Sequence, residues 1–173
     1  RDAGYQHRSG SNNVAIGTNA LYDSRGASFN VAVGPYASYN VLTGASGIGI
    51  GYKAGYAQKG QSNWIAIGYE AMGGTAGTNE SHEIAIGYRS MFAAMDGSSG
   101  VALGSNTLEN LVGDYSTAIG SEAGRYATGS FNTFVGKAAG TGGTTSAPYS
   151  SGQYNTALGY RALTGLTTGN YNV

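Results

Sequence analysis

The chain has no cysteine, only two prolines in 173 residues, and few charges: nine Lys and Arg against nine Asp and Glu, with no net charge. Without cysteine there is no disulfide framework, no thiolate metal site and no catalytic thiol. Without an excess of one sign, nothing electrostatic points to nucleic acid or to an anionic membrane. No apolar run approaches twenty residues, so no membrane-spanning helix is expected. Neither an initiating Met nor a signal peptide opens the chain at Arg1, which reads as a fragment of a longer protein. Only two histidines are present, His7 and His82, and neither has a metal-ligand partner at helical or hairpin spacing. The carboxylates are scattered singly, so no catalytic pair is legible. Gly47-Ile48-Gly49-Ile50-Gly51 does not complete a dinucleotide fingerprint. The reading is of a non-enzymatic chain with no metal and no cofactor.

What the chain has in excess is glycine, 31 residues, and much of it keeps time. A phrase of one aliphatic or Thr residue, one small residue, one aliphatic residue and Gly occurs nine times, from Val14-Ala15-Ile16-Gly17 to Thr156-Ala157-Leu158-Gly159. The closing glycines lie 17, 17, 17, 19, 17, 16, 16 and 23 residues apart. That period is too short for a helical-hairpin repeat and suits one coil of a parallel β-solenoid. The fold class expected is therefore all-β, a parallel β-solenoid of nine to ten short coils over residues 10–173, after a ragged N-terminal connection over 1–9 and with excursions at 73–82 and 141–153.

Within each phrase the period-2 alternation puts the residues three before and one before the Gly on one face and the residue between them on the other. The aliphatic rows read as the core. The middle row is held to Ala15, Ala32, Gly49, Ala66, Ala85, Ala102, Ala118 and Ala157, with Phe134 as the large exception. Such smallness implies a close neighbour, read as another copy of the chain, so these residues form the expected interface of a homo-oligomer. Three residues past each Gly runs a second small row, Ala20 to Ala162. Gly10, Gly44, Gly97, Gly113, Gly129 and Gly152, seven before the motif Gly, and Asn13, Asn30, Asn132 and Asn155, four before it, are expected at tight corners that need positive φ, with the Asn side chains laddered between coils. Thr117, Thr133 and Thr156 share the row read as inward and would soften that end, because a buried hydroxyl needs a partner.

Aromatic residues supply the candidate binding chemistry. Tyr52, Tyr69, Tyr88 and Tyr160 directly follow motif glycines, beside a charged row that includes Lys53, Glu70, Arg89, Glu122 and Arg161. Stacked Tyr rings cover a solenoid corner; aromatic faces beside polar groups also hold sugar rings, and on that reading Tyr52, Tyr69, Tyr88, Tyr160, Lys53 and Arg89 are the ligand-binding candidates. Glu70 and Arg89 would sit one coil apart as an ion pair.

The phrases Asn13-Val14-Ala15-Ile16-Gly17 and Asn30-Val31-Ala32-Val33-Gly34, each followed by Ala three residues on, resemble the head repeats of trimeric autotransporter adhesins of the YadA-like kind. They are similar as well to the related repeats of trimeric bacteriophage tail fibres, above all where Gly129 to Thr133, Gly152 to Thr156 and Gly169 to Val173 repeat a Gly-x-aromatic-Asn pattern. The resemblance implies a left-handed β-roll, three chains about a common axis, an extracellular place on a bacterial surface or a virion tail fibre, and attachment to a surface glycan or host receptor. The alternative is the non-catalytic shaft of a polysaccharide-degrading tailspike.

Overall fold

A computed structural model describes residues 2–6, 8–74, 82–93, 99–146 and 149–173. The chain is all-β, a parallel β-solenoid with no helix among the described residues. Its strands are three residues long: β1 (Val14–Ile16), β2 (Val31–Val33), β3 (Ile48–Ile50), β4 (Ile65–Ile67), β5 (Ile84–Ile86), β6 (Val101–Leu103), β7 (Thr117–Ile119), β8 (Thr133–Val135) and β9 (Thr156–Leu158). They form one parallel sheet in chain order, each phrase paired with the next in register, as in Ile65↔Ile84, Ala66↔Ala85 and Ile67↔Ile86.

Hydrogen bonding from coil to coil continues around the corners. Leu21 N donates to Ala37 O, Asp23 N to Tyr39 O and Asn40 N to Tyr56 O, so backbone groups outside the strands also find partners. Within residues 1–9, Gly4, Gln6 and Ser9 also donate to the following coil, to Ala20, Tyr22 and Arg25.

The corners rest on left-handed backbone, only partly at the positions the sequence suggests. The motif glycines have φ between 118° and 138°, and a Cβ on Gly17, Gly34 or Gly68 would strike the carbonyl of the next motif Gly. No other residue type fits there. Two and four residues on, φ is again positive at Lys53 and Gly55, Glu70 and Met72, Arg89 and Met91, Asn106 and Leu108, and so along the rod; a third such row runs five before the Gly, through Asn63, Tyr115 and Phe131. Most of these are not glycine, a conformation that costs about 1–2 kcal/mol per residue and persists where neighbouring coils hold it. Of the Gly row seven before the motif, Gly10 alone among the described members has positive φ. Gly44 and Gly129 are needed for another reason: a Cβ on either would overlap a carbonyl of the adjacent coil.

The Asn row is interior and laddered, without positive φ. Asn30 Nδ2 donates to Ser28 O at 3.0 Å and to Gly44 O at 3.2 Å, while its Oδ1 accepts from Gly47 N at 2.9 Å. Further along, Asn155 N and Nδ2 both donate to Asn132 Oδ1, and Asn172 N and Nδ2 to Asn155 Oδ1. Each buried amide thereby joins its own coil to the next.

Sheet polarity is the reverse of the sequence expectation. The small row Ala32, Ala66, Ala85, Ala102 and Ala118 is completely buried inside its own chain, against the second small row of Ala37, Ala54, Ala71 and Ala123. Ala15 and Ala157 end the same row, and Gly49 is demanded because a Cβ there would meet Ser38 Oγ and Ala54 O. The row's smallness therefore reflects the narrow bore of the coil, not a neighbouring chain. The aliphatic rows face outward instead: Ile16 is 59% exposed, Ile119 40% and Leu158 78%. Thr133 and Thr156 lie on that exposed face, so their hydroxyls reach solvent.

Bulk enters the bore by exchange. Phe134 points inward, fully buried, and its ring occupies the space that side chains at Gly124 and Gly140 would take. Trp64 does the same across Gly47 and Gly55. Of the excursion at 141–153, residues 147 and 148 lie outside the described residues; Gly143 N donates to Leu166 O at 2.6 Å, and Ser150 is buried in a parallel bridge with Ala127. Of the excursion at 73–82, residues 75–81 lie outside the described residues.

Candidate functional site

The coil pitch stacks identical rows, and three aromatic ladders result. Tyr5, Tyr22, Tyr39 and Tyr56 stack with centroids 5.0 to 5.2 Å apart. Tyr52, Tyr69 and Tyr88 stack at 5.1 and 5.5 Å, with Tyr36 edge-on to Tyr52. A third ladder, Tyr115, Phe131, Tyr154 and Tyr171, runs at 4.8 to 5.3 Å on left-handed backbone; its aromatics recur in the Gly-x-aromatic-Asn pattern of the sequence, but their stacking becomes visible only in the structure. These spacings follow the strand separation of about 4.8 Å. In the first ladder burial, then the neighbouring phenols of Tyr56, Tyr22 and Tyr36 and the Asp23 carboxylate, push the Tyr39 hydroxyl above its ordinary pKa.

Stacking covers the faces that made Tyr52, Tyr69 and Tyr88 attractive for sugars wherever one ring lies on the next, and leaves the outer face of Tyr88, the last ring of the ladder, without a ring partner. The charged candidates beside them are engaged too. Lys53 Nζ lies 5.4 and 5.6 Å from the Tyr52 and Tyr56 ring centres, and the Arg89 guanidinium lies 4.0 Å over Phe92. Replacing Tyr52, Tyr69 and Tyr88 together by Ser is accordingly expected to lower stability by about 1 kcal/mol for each ring pair lost, read as a fall in the melting midpoint. Glycan binding, read on an array, is expected to be unchanged by the same replacement.

Arg89 begins an alternating charge chain. Its Nη2 lies 3.2 Å from Glu109 Oε1 and its Nε 3.8 Å from Glu70, so the sequence-expected Glu70 pair is the weaker contact. Arg125 Nε donates to Glu109 Oε2 at 2.7 Å, and its Nη1 lies 3.7 Å from Glu122. Burial works against the Arg125 charge, but the bond to Glu109 and the surrounding negative charge outweigh it and hold the guanidinium above its ordinary range. The chain stops at Glu122, because the next residue in that row is Ala138.

There the surface opens into a cleft of about 530 Å³. Glu122, Ala138 and Arg161, consecutive members of one row, line it together with Lys137, Tyr160, Thr141 to Gly143, Thr164 and Gly165. Tyr160 and Arg161 thus belong here, apart from Tyr52, Tyr69 and Tyr88, because Ser105, Ser121 and Lys137 interrupt the Tyr row. Lys137 and Arg161 make no ion pair among the described residues.

No family model, curated protein or solved structure matches this chain. Among the described residues no three His, Cys, Asp or Glu side chains group to hold a metal, and no helix is long and apolar enough to cross a membrane. His82 is exposed, with Nε2 3.4 Å from Asn63 Nδ2; His7 lies outside the described residues.

Proposed function

We propose that the chain is a structural and adhesive segment of an extracellular homotrimeric fibre, a bacterial surface adhesin or a phage tail fibre, that attaches to a surface glycan or host receptor. The observation that carries this reading is the outward face of the sheet, one aliphatic row through Ile16, Ile50, Ile86, Ile119 and Leu158 and a second, half-buried row from Val14 to Val101 that ends in Thr117, Thr133 and Thr156. Contiguous apolar surface of this kind marks an interaction face. A partner must match its repeat, and a second copy of the same solenoid does so in every coil. Two rows per chain suit a three-fold axis, where each chain touches two neighbours. A left-handed β-roll of nine to ten coils and the number three accord with the resemblance to adhesin heads and tail-fibre repeats.

Light scattering at micromolar concentration is expected to give the mass of three chains. Ile50→Lys with Ile86→Lys is expected to reduce it to one chain while the β-type circular dichroism persists, because desolvating two ammonium groups per chain opposes assembly. A wild-type chain that is monomeric under these conditions removes the fibre reading.

A further inference from the structure

We infer that the cleft at Ala138 binds a carboxylated sugar ring, a hexuronate-like group on the attached surface; the choice of a sugar rests on the attachment reading. The row two residues after the motif Gly carries a long polar side chain at Lys53, Glu70, Arg89, Asn106, Glu122 and Arg161, and only Ala at 138. The missing side chain leaves a gap between charges of opposite sign two coils apart. The cleft lies in the size range of small-molecule sites, roughly 300 to 1,000 Å³.

The lining sets the ligand class. Lys137 and Arg161 have no acidic partner among the described residues, and Glu122 shares its charge with Arg125 at 3.7 Å, so the cleft has an excess of positive charge in a chain of zero net charge. A guanidinium recognises a carboxylate through paired hydrogen bonds. Tyr160 is 70% exposed and stands outside the aromatic ladders, which leaves its face open to the apolar side of a pyranose. The Glu122 carboxylate and the Thr164 hydroxyl supply hydrogen-bond groups for ring hydroxyls. A neutral sugar leaves the two cations unanswered, and a bare anion leaves the ring and the carboxylate unused. Three copies on one fibre multiply a weak single-site affinity.

The test is a titration of the chain with D-glucuronate, D-glucose and acetate, read by calorimetry. Glucuronate is expected to bind at least tenfold tighter than either control. Ala138→Gln fills the gap with a side chain of the kind Glu122 carries on the same left-handed backbone, φ being 56° at Ala138 and 61° at Glu122, so the fold is expected to hold and binding to fall at least tenfold. Lys137→Gln, at an exposed position, is expected to weaken glucuronate severalfold and leave the melting midpoint alone. Absence of glucuronate binding, equal binding of acetate, or full binding by a natively melting Ala138→Gln variant overturns the inference. Oligomeric state on the same samples separates the two readings: a trimer that ignores glucuronate overturns the cleft alone, and a monomer that binds it supports the cleft and overturns the fibre.

Discussion

Phe134→Ala is expected to lower the free energy of unfolding by about 3 to 5 kcal/mol, and adding Gly140→Leu to return most of that loss. Phe134 is fully buried, and its ring fills the space over Gly124 and Gly140. Other coils reach the same cross-section differently, with Ala102 opposite Leu108 and Ala157 opposite Leu163. The double variant rebuilds that pairing at a backbone already suited to it, since φ is 56° at Gly140 and 47° at Leu108. Gly140→Leu alone drives a side chain into the Phe134 ring and is expected to destabilise by about 1 to 3 kcal/mol or more. Chemical denaturation of the four proteins measures the coupling. Additive effects would show that the two positions do not share one space.

Ala85→Leu is expected to abolish the cooperative melt, whereas Ile86→Ala preserves it. Ala85 faces a bore already filled by its own coil and has no solvent to escape into. Overpacking of a well-filled interior costs about 1 to 3 kcal/mol, and here it also displaces the parallel ladder on both sides. Ile86 is 37% exposed on the outward face, so shortening it removes little from the packing inside the coil. Thermal melts followed by circular dichroism distinguish the two, and a native-like melt for Ala85→Leu would mean that the small row is not the interior.

The exchange of bulk between Phe134 and Gly140 also marks the limit of what one sequence discloses. Phe134 stands out by inspection, and its two compensating glycines do not, because they lie on other corners of the coil and look like every other Gly. The cleft at Ala138 was equally hidden: an alanine in a charged row reads as neutral variation until stacking places Glu122 and Arg161 on either side of it. Tyr160 and Arg161 were legible as candidates, but grouped with the wrong partners, since the stripe that joins Tyr52, Tyr69 and Tyr88 breaks before Tyr160.

The sequence by itself determined the parallel β-solenoid, its period, the register that sets phrase against phrase, and the rows along the rod, because a recurring Gly that no other residue can replace locks each coil to the next. Only the tertiary structure decided which face of the sheet is inside. Alternation in a three-residue strand separates Ile84 and Ile86 from Ala85 without saying which side is wet. The answer comes from closure: left-handed residues two and four past each Gly bend the chain so tightly that the bore admits Ala and Gly in the strand row beside a few larger side chains, and the aliphatic rows are left outside.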